Sequence, residues 1–205
     1  MNAASALARL GGLGKHVFTT EDAALALDAR RSATTHMLSR LAAAGLLERV
    51  RHGLWTTDLT LDPLVLPVHV TAPFPSYVSF QSALFFHGMV SQIPTVIYVA
   101  SLAPTRTVRT TLGTFSIHRL APGFFGGFAI LDSGVRLASP EKALLDVLYL
   151  GPARSRLFAH LPEVELPRRF DRAEARRWIA RIPAGPRRLS VERRLETLLR
   201  GSRRR

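Results

Sequence analysis

Apolar and polar positions along the first sixty residues follow helical spacing and then alternate. Residues 3–10 are good helix formers ended by Gly11-Gly12, which predicts a short first helix. Thr19-x-x-Asp22 has the spacing of a capping box and opens a second helix running to about Leu27. After a turn at Asp28-Ala29, residues 30–44 predict a third helix, closed by Gly45 where a left-handed residue is favoured. At about 100° per residue, Thr34, Leu38 and Leu41 of that helix stack on one face with Met37 beside them. Ser32, Thr35, His36, Ser39 and Arg40 fall on the other. Residues 46–51 and 54–57 then read as two strands around a tight turn at His52-Gly53.

The pattern changes beyond residue 58. Pro63, Pro67, Pro73 and Pro75 break any helical period and predict an extended linker over 63–76. Residues 77–88 read as a buried helix ended by Gly88. Strands are predicted at 95–101, 105–110 and 114–120, with Leu112-Gly113 turning between the last two. A hairpin follows from 128–131 and 135–138 around Asp132-Ser133-Gly134. Ser139-Pro140-Glu141 starts a helix over 140–149, with Ala143, Leu144, Val147 and Leu148 at core spacing. Two further helices near 172–181 and 190–200 are expected to be capped by Asp171 and Ser190. Trp178, Ile179 and Ile182 give the first a core face; Val191, Leu195, Leu198 and Leu199 serve the second. The fold class is α+β: a winged helix-turn-helix over 1–62, a linker over 63–76, and a mixed α/β domain with C-terminal helices over 77–200. A basic tail, 201–205, closes the chain.

Composition narrows the function. At 205 residues and 47% hydrophobic content, the chain buries a real core as one domain or two small ones, and disorder is excluded. The absence of cysteine removes disulfides, thiolate zinc sites, iron–sulfur clusters and cysteine nucleophiles. No apolar run reaches the roughly 18 residues that span a bilayer, and Met1-Asn2-Ala3-Ala4-Ser5 carries no basic residue, so a cytoplasmic protein without membrane contact is expected. A net charge of +13 points to a polyanion partner. Lys15 and Lys142 are the lysines; the remaining positive charge is guanidinium, suited to phosphate and also typical of GC-rich genomes. Residues 1–62 carry net +1, residues 63–137 net +3 and residues 138–205 net +9, so the excess is C-terminal.

The outer face of the third helix presents small hydrogen-bonding groups and few acids, which suits entry into a major groove. Arg31, Ser32, Thr35, His36, Ser39 and Arg40 are the candidate DNA contacts on the helix. Arg49, Arg51 and His52 are the candidates on the wing, where backbone or minor groove would be met. The bland alternative is a helical scaffold whose hairpin completes its core and serves protein contacts. His87, His118, Glu141 and Asp146 match no metal spacing; no H-E-x-x-H and no nucleophile elbow occurs. No catalytic residue, metal site or cofactor is therefore expected, and the two histidines read as structural. Gly123-Phe124-Phe125-Gly126-Gly127 lacks the lysine and hydroxyl of a phosphate loop and reads as a flexible or partner-facing segment. Arg168, Arg169, Arg172, Arg176, Arg177, Arg187, Arg188, Arg193 and Arg194 form a candidate polyanion or partner surface, against the alternative of solvated helix faces balanced by Glu174, Glu192 and Glu196.

In combination, Arg51-His52-Gly53-Leu54-Trp55, Tyr77-Val78-Ser79…Ala83-Leu84…His87-Gly88, Gln92-Ile93-Pro94 and Ser139-Pro140-Glu141-Lys142-Ala143-Leu144-Leu145-Asp146 resemble the AbiEi family of bacterial antitoxins and regulators. The resemblance runs in order over about residues 15–150. It implies an autorepressor whose N-terminal winged helix binds inverted repeats in its own promoter as a monomer or dimer on double-stranded DNA. It also implies that the C-terminal domain counteracts a nucleotidyltransferase-like toxin, directly or indirectly. The alternative is an interaction module for a protein or structured RNA without operator recognition.

Overall fold

The structure, a computed structural model, describes residues 1–151, 158, 163–183 and 185–201. Helices α1 (Ala3–Gly11), α2 (Thr20–Leu27) and α3 (Arg31–Ala43) cover a small antiparallel sheet of β1 (Val17–Thr19), β2 (Glu48–Arg51) and β3 (Leu54–Thr56), in spatial order β1-β3-β2. The capping box forms as spaced: Thr19 Oγ1 accepts from the Asp22 amide at 3.0 Å, and the Asp22 carboxylate accepts from the Thr19 amide at 2.8 Å. That backbone bond, reinforced by Lys15, holds the Asp22 carboxyl below its usual range. After α3 ends, Gly45 takes φ +69°, a region where a Cβ is disfavoured. β1 has no alternation long enough to show in the sequence. It forms because Val17, Phe18 and Thr19 register against Thr56, Trp55 and Leu54.

This small sheet has two working faces. Phe18 and Trp55 join Leu27, Leu38 and Leu41 beneath the helices, while Val17, Val50 and Leu54 point the other way. Buried Trp55 finds its polar partner in Thr20, with Nε1 donating to Oγ1 at 3.0 Å.

Residues 63–76 do not run extended throughout. Pro63–Val65 form a 3-10 turn and Pro67–Val70 a single helical turn, α4. Both prolines occupy first-turn positions, where the missing N–H is no loss, and Asp62 accepts the Leu64 amide at 2.9 Å. Leu66 and Val70 are buried.

A second, six-stranded mixed sheet follows, comprising β4 (Ser76–Val78), β5 (Ile97–Ser101), β6 (Arg106–Thr110), β7 (Gly113–Arg119), β8 (Phe128–Ile130) and β9 (Arg136–Ala138), in order β6-β7-β5-β4-β9-β8. Tyr77 and Val78, expected within a helix over 77–88, instead form the strand between β5 and β9. Aromatic Tyr and β-branched Val both favour strands, and pairing with Ala100 and Val99 realises that preference. Helix α5 (Phe80–Phe86) starts only after Ser79, through Phe80 at φ +53°. Helix α6 (Pro140–Leu150) begins as expected, with Ser139 Oγ accepting the Lys142 amide at 3.2 Å. Asp171 caps α7 (Arg172–Ala180) by accepting from Ala173 and Glu174 at 2.8 and 3.0 Å. Helix α8 (Gly185–Gly201) starts earlier than expected, so Ser190 lies inside it and is not its cap. Pro186 sits in the first turn, where it does not oppose a helix. Residues 202–205 of the basic tail lie outside the described residues.

The α+β class holds, and the order of its layers matters. Val99, Phe115 and Ile117 of the large sheet pack on Val17, Val50, Leu54, Leu61, Leu66 and Val70. Tyr98 and Ala100 face the opposite core, which includes Leu84, Leu144, Leu148, Ile179, Val191 and Leu195 from α5 to α8. The N-terminal helices and the arginine-rich helices therefore lie on opposite sides of the central sheet.

Candidate nucleic-acid interface

α3 presents two chemically distinct faces. Thr34, Leu38 and Leu41 are buried, whereas Arg31, Ser32, Thr35, His36, Ser39 and Arg40 are all exposed. The α2–α3 turn is set by Asp28 at φ +49°, a conformation Asp tolerates better than most side chains. Thr35 Oγ1 donates to the Arg31 carbonyl at 2.9 Å, which leaves the oxygen lone pairs able to accept. Arg31 pairs with Glu21 at 3.0 Å; Arg40 makes no ion pair among the described residues.

The β2–β3 hairpin stands beside α3 and shares its core through Trp55. Gly53 turns it at φ +74°. A bulge between Arg49 and Arg51 drives Val50 inward and leaves both arginines exposed. Arg49 is held on two sides: its guanidinium lies 5.5 Å from the Trp55 ring centroid, and Nη2 lies 2.9 Å from His52 Nδ1. The structure thus brings the helix set and the hairpin set together on one unit, with guanidinium groups around short hydroxyl side chains. That surface is suited to phosphate and base-edge contacts.

The C-terminal arginines are elsewhere and are not uniform. Arg168, Arg169, Arg172, Arg176, Arg188 and Arg193 are exposed and make no ion pair among the described residues. Arg177 lies 3.9 Å from Asp171. Two turn toward α6 instead: the Arg187 guanidinium sits 4.8 Å from the Tyr149 ring, and Arg194 donates to the Leu148 carbonyl at 3.3 Å.

His87, His118, Glu141 and Asp146 do not converge. His87 Nε2 lies 2.7 Å from the Ala138 carbonyl oxygen, and His118 Nε2 lies 2.8 Å from Ser116 Oγ. Burial lowers the His118 pKa to about 4. Glu141 accepts the Asp171 amide at 2.7 Å, tying α6 to the start of α7.

Sequence reasoning missed a fully buried polar cluster. Lys142 and Asp146, one helical turn apart, pair inside the core; Ser79 Oγ and Tyr77 OH donate to Asp146 at 2.6 and 3.1 Å. Lys142 also sits 3.9 Å from the Phe124 centroid and 5.3 Å from that of Trp178. Burial pushes the Lys142 pKa down and the Asp146 pKa up. Tyr77, Ser79, Lys142 and Asp146 are all fully buried; they join β4 to α6, with Trp178 of α7 close to Lys142. The glycine-containing loop packs into the same assembly: Phe124 is buried, and a Cβ on Gly126 or Gly127 would come within 2.9 Å of Trp178.

Residues 6–57, which contain most of α1, all of α2 and α3, and the whole of the small sheet, match the family described as transcriptional regulator, AbiEi antitoxin. The resemblance is thereby borne out over the N-terminal unit. No curated protein matches the chain significantly. No helix among the described residues is long and apolar enough to cross a membrane.

Proposed function

From that family match, we propose that residues 1–62 form a winged helix-turn-helix that binds inverted repeats in the protein's own promoter. The chain then represses its own transcription and, through residues 77–200, counteracts a nucleotidyltransferase-like toxin in the cytoplasm. Residues 63–76 connect the two parts. The observation that carries this reading is the joint exposure of Ser32, Thr35, His36, Ser39 and Arg40 on α3 beside Arg49, Arg51 and His52 on the hairpin. In this assignment α3 enters the major groove and the β2–β3 hairpin is the wing. The role is regulatory and uses no cofactor.

The layer order favours a second assignment for the arginine helices. Because α7 and α8 lie across the central sheet from α3, their exposed arginines form a polyanion surface separate from the operator contact.

Fluorescence anisotropy of the full chain tests both, using its upstream DNA and a scrambled duplex across a salt series. Selective binding that R40A weakens, and that R172A/R176A leaves intact with an unchanged salt slope, is expected. Equal binding to both duplexes would remove the operator reading and favour an interaction module for a protein or structured RNA. A slope made shallower by R172A/R176A would put α7 on the DNA.

A further inference from the structure

The wing is not free at its outer edge. β2 is an edge strand of the small sheet, and such a strand ordinarily leaves backbone groups to solvent. Here the β6–β7 turn of the large sheet reaches it. The Thr111 amide donates to the Val50 carbonyl at 3.1 Å, and Thr111 Oγ1 donates to the Arg49 carbonyl at 3.3 Å. Val50, turned inward by the bulge, joins the same apolar core as Phe115 and Ile117 of β7. The turn itself is firm, because Thr110 Oγ1 donates to the Gly113 carbonyl at 2.9 Å and accepts the Leu112 amide at 3.2 Å.

Resting on the operator reading above, we infer that Thr111 is a positioning residue for DNA binding. It fixes the backbone of Arg49 and Val50, and so the direction in which Arg49, Arg51 and His52 leave the wing. Preorganisation of this kind removes an ordering cost from binding. The large sheet thereby becomes part of the DNA-reading apparatus without touching DNA. Any partner that displaces the β6–β7 turn alters the wing.

The test uses the full chain and three variants. T111P removes both donors, T111V removes only the hydroxyl, and T111S retains both. Amide hydrogen exchange reads the wing directly. Exchange at residues 51–54 is expected to rise about fivefold in T111P, the factor set by one backbone hydrogen bond, while residues 97–101 keep their protection. T111V gives a smaller rise and T111S matches the parent. Affinity for the upstream duplex falls by about the same factor in T111P and returns in T111S. Unchanged wing exchange in T111P overturns the inference, whether or not affinity falls, since a loss of affinity alone would mean that the turn touches DNA itself. If the parent chain fails to prefer upstream DNA, the operator reading fails, while the exchange data still judge the brace.

Discussion

Arg49 offers the sharpest test of how the wing contributes. Its guanidinium is placed by Trp55 at 5.5 Å and by His52 at 2.9 Å, and its backbone by Thr111 at 3.3 Å, so its orientation is set before DNA arrives. A phosphate contact made by this side chain releases counterions and contributes about 0.9 to the slope of log affinity against log salt. Between 50 and 200 mM salt, that one contact weakens binding by about 3.5-fold. R49A is therefore expected to bind upstream and scrambled duplexes less tightly by similar factors, and its deficit should shrink by about 3.5-fold over that range. R49K keeps the charge and the slope but loses the planar contact with Trp55, so its affinity falls between parent and R49A. Anisotropy titrations at four salt concentrations, with circular dichroism to confirm folding, give all these quantities. An R49A slope equal to that of the parent, or a loss confined to the upstream sequence, would refute a phosphate role for Arg49.

Three further outcomes follow from the packing. K142M strands the Asp146 carboxylate in the core and should lower unfolding free energy by about 3–5 kcal/mol in urea titrations at pH 7; K142M/D146L should recover part of it, and a loss below about 1 kcal/mol would refute the pair's role. His118, with a folded pKa of about 4 against 6.5 unfolded, binds fewer protons folded than unfolded, so its stabilisation is lost as pH falls through this window. The expected loss is roughly 2 kcal/mol between pH 7 and 5, and H118Q should flatten the urea-midpoint profile over that interval. Thr34 Oγ1 is buried on α3 without a hydrogen-bond partner among the described residues, so T34V should raise stability by about 1 kcal/mol, read as a higher melting temperature with DNA affinity unchanged.

The division between sequence and tertiary structure follows the range of the interactions. The Thr19–Asp22 box, the glycine closing α3, the face of α3 that turns outward, the His52-Gly53 turn and the start of α6 at Ser139 are decided within a few residues. Local sterics and hydrogen bonds suffice there, and these features were legible in the chain. β1 was not, because a three-residue strand carries no readable period and exists through a partner nearly forty residues later. Tyr77 and Val78 look helical beside Ala83 and Leu84, yet central pairing in a sheet claims them. The Lys142–Asp146 spacing resembles a surface pair; only the enclosing Ser79, Tyr77, Phe124 and Trp178 make it a core element. The glycines at 126 and 127 read as looseness until Trp178 occupies the space that side chains would fill. Likewise, charge counting placed the basic excess in the last third, but the separation of those arginines from α3 depends on which sheet face each helix covers. That choice is made by burial of Val99, Phe115 and Ile117 on one side and Tyr98 and Ala100 on the other, a cooperative property of the packed layers.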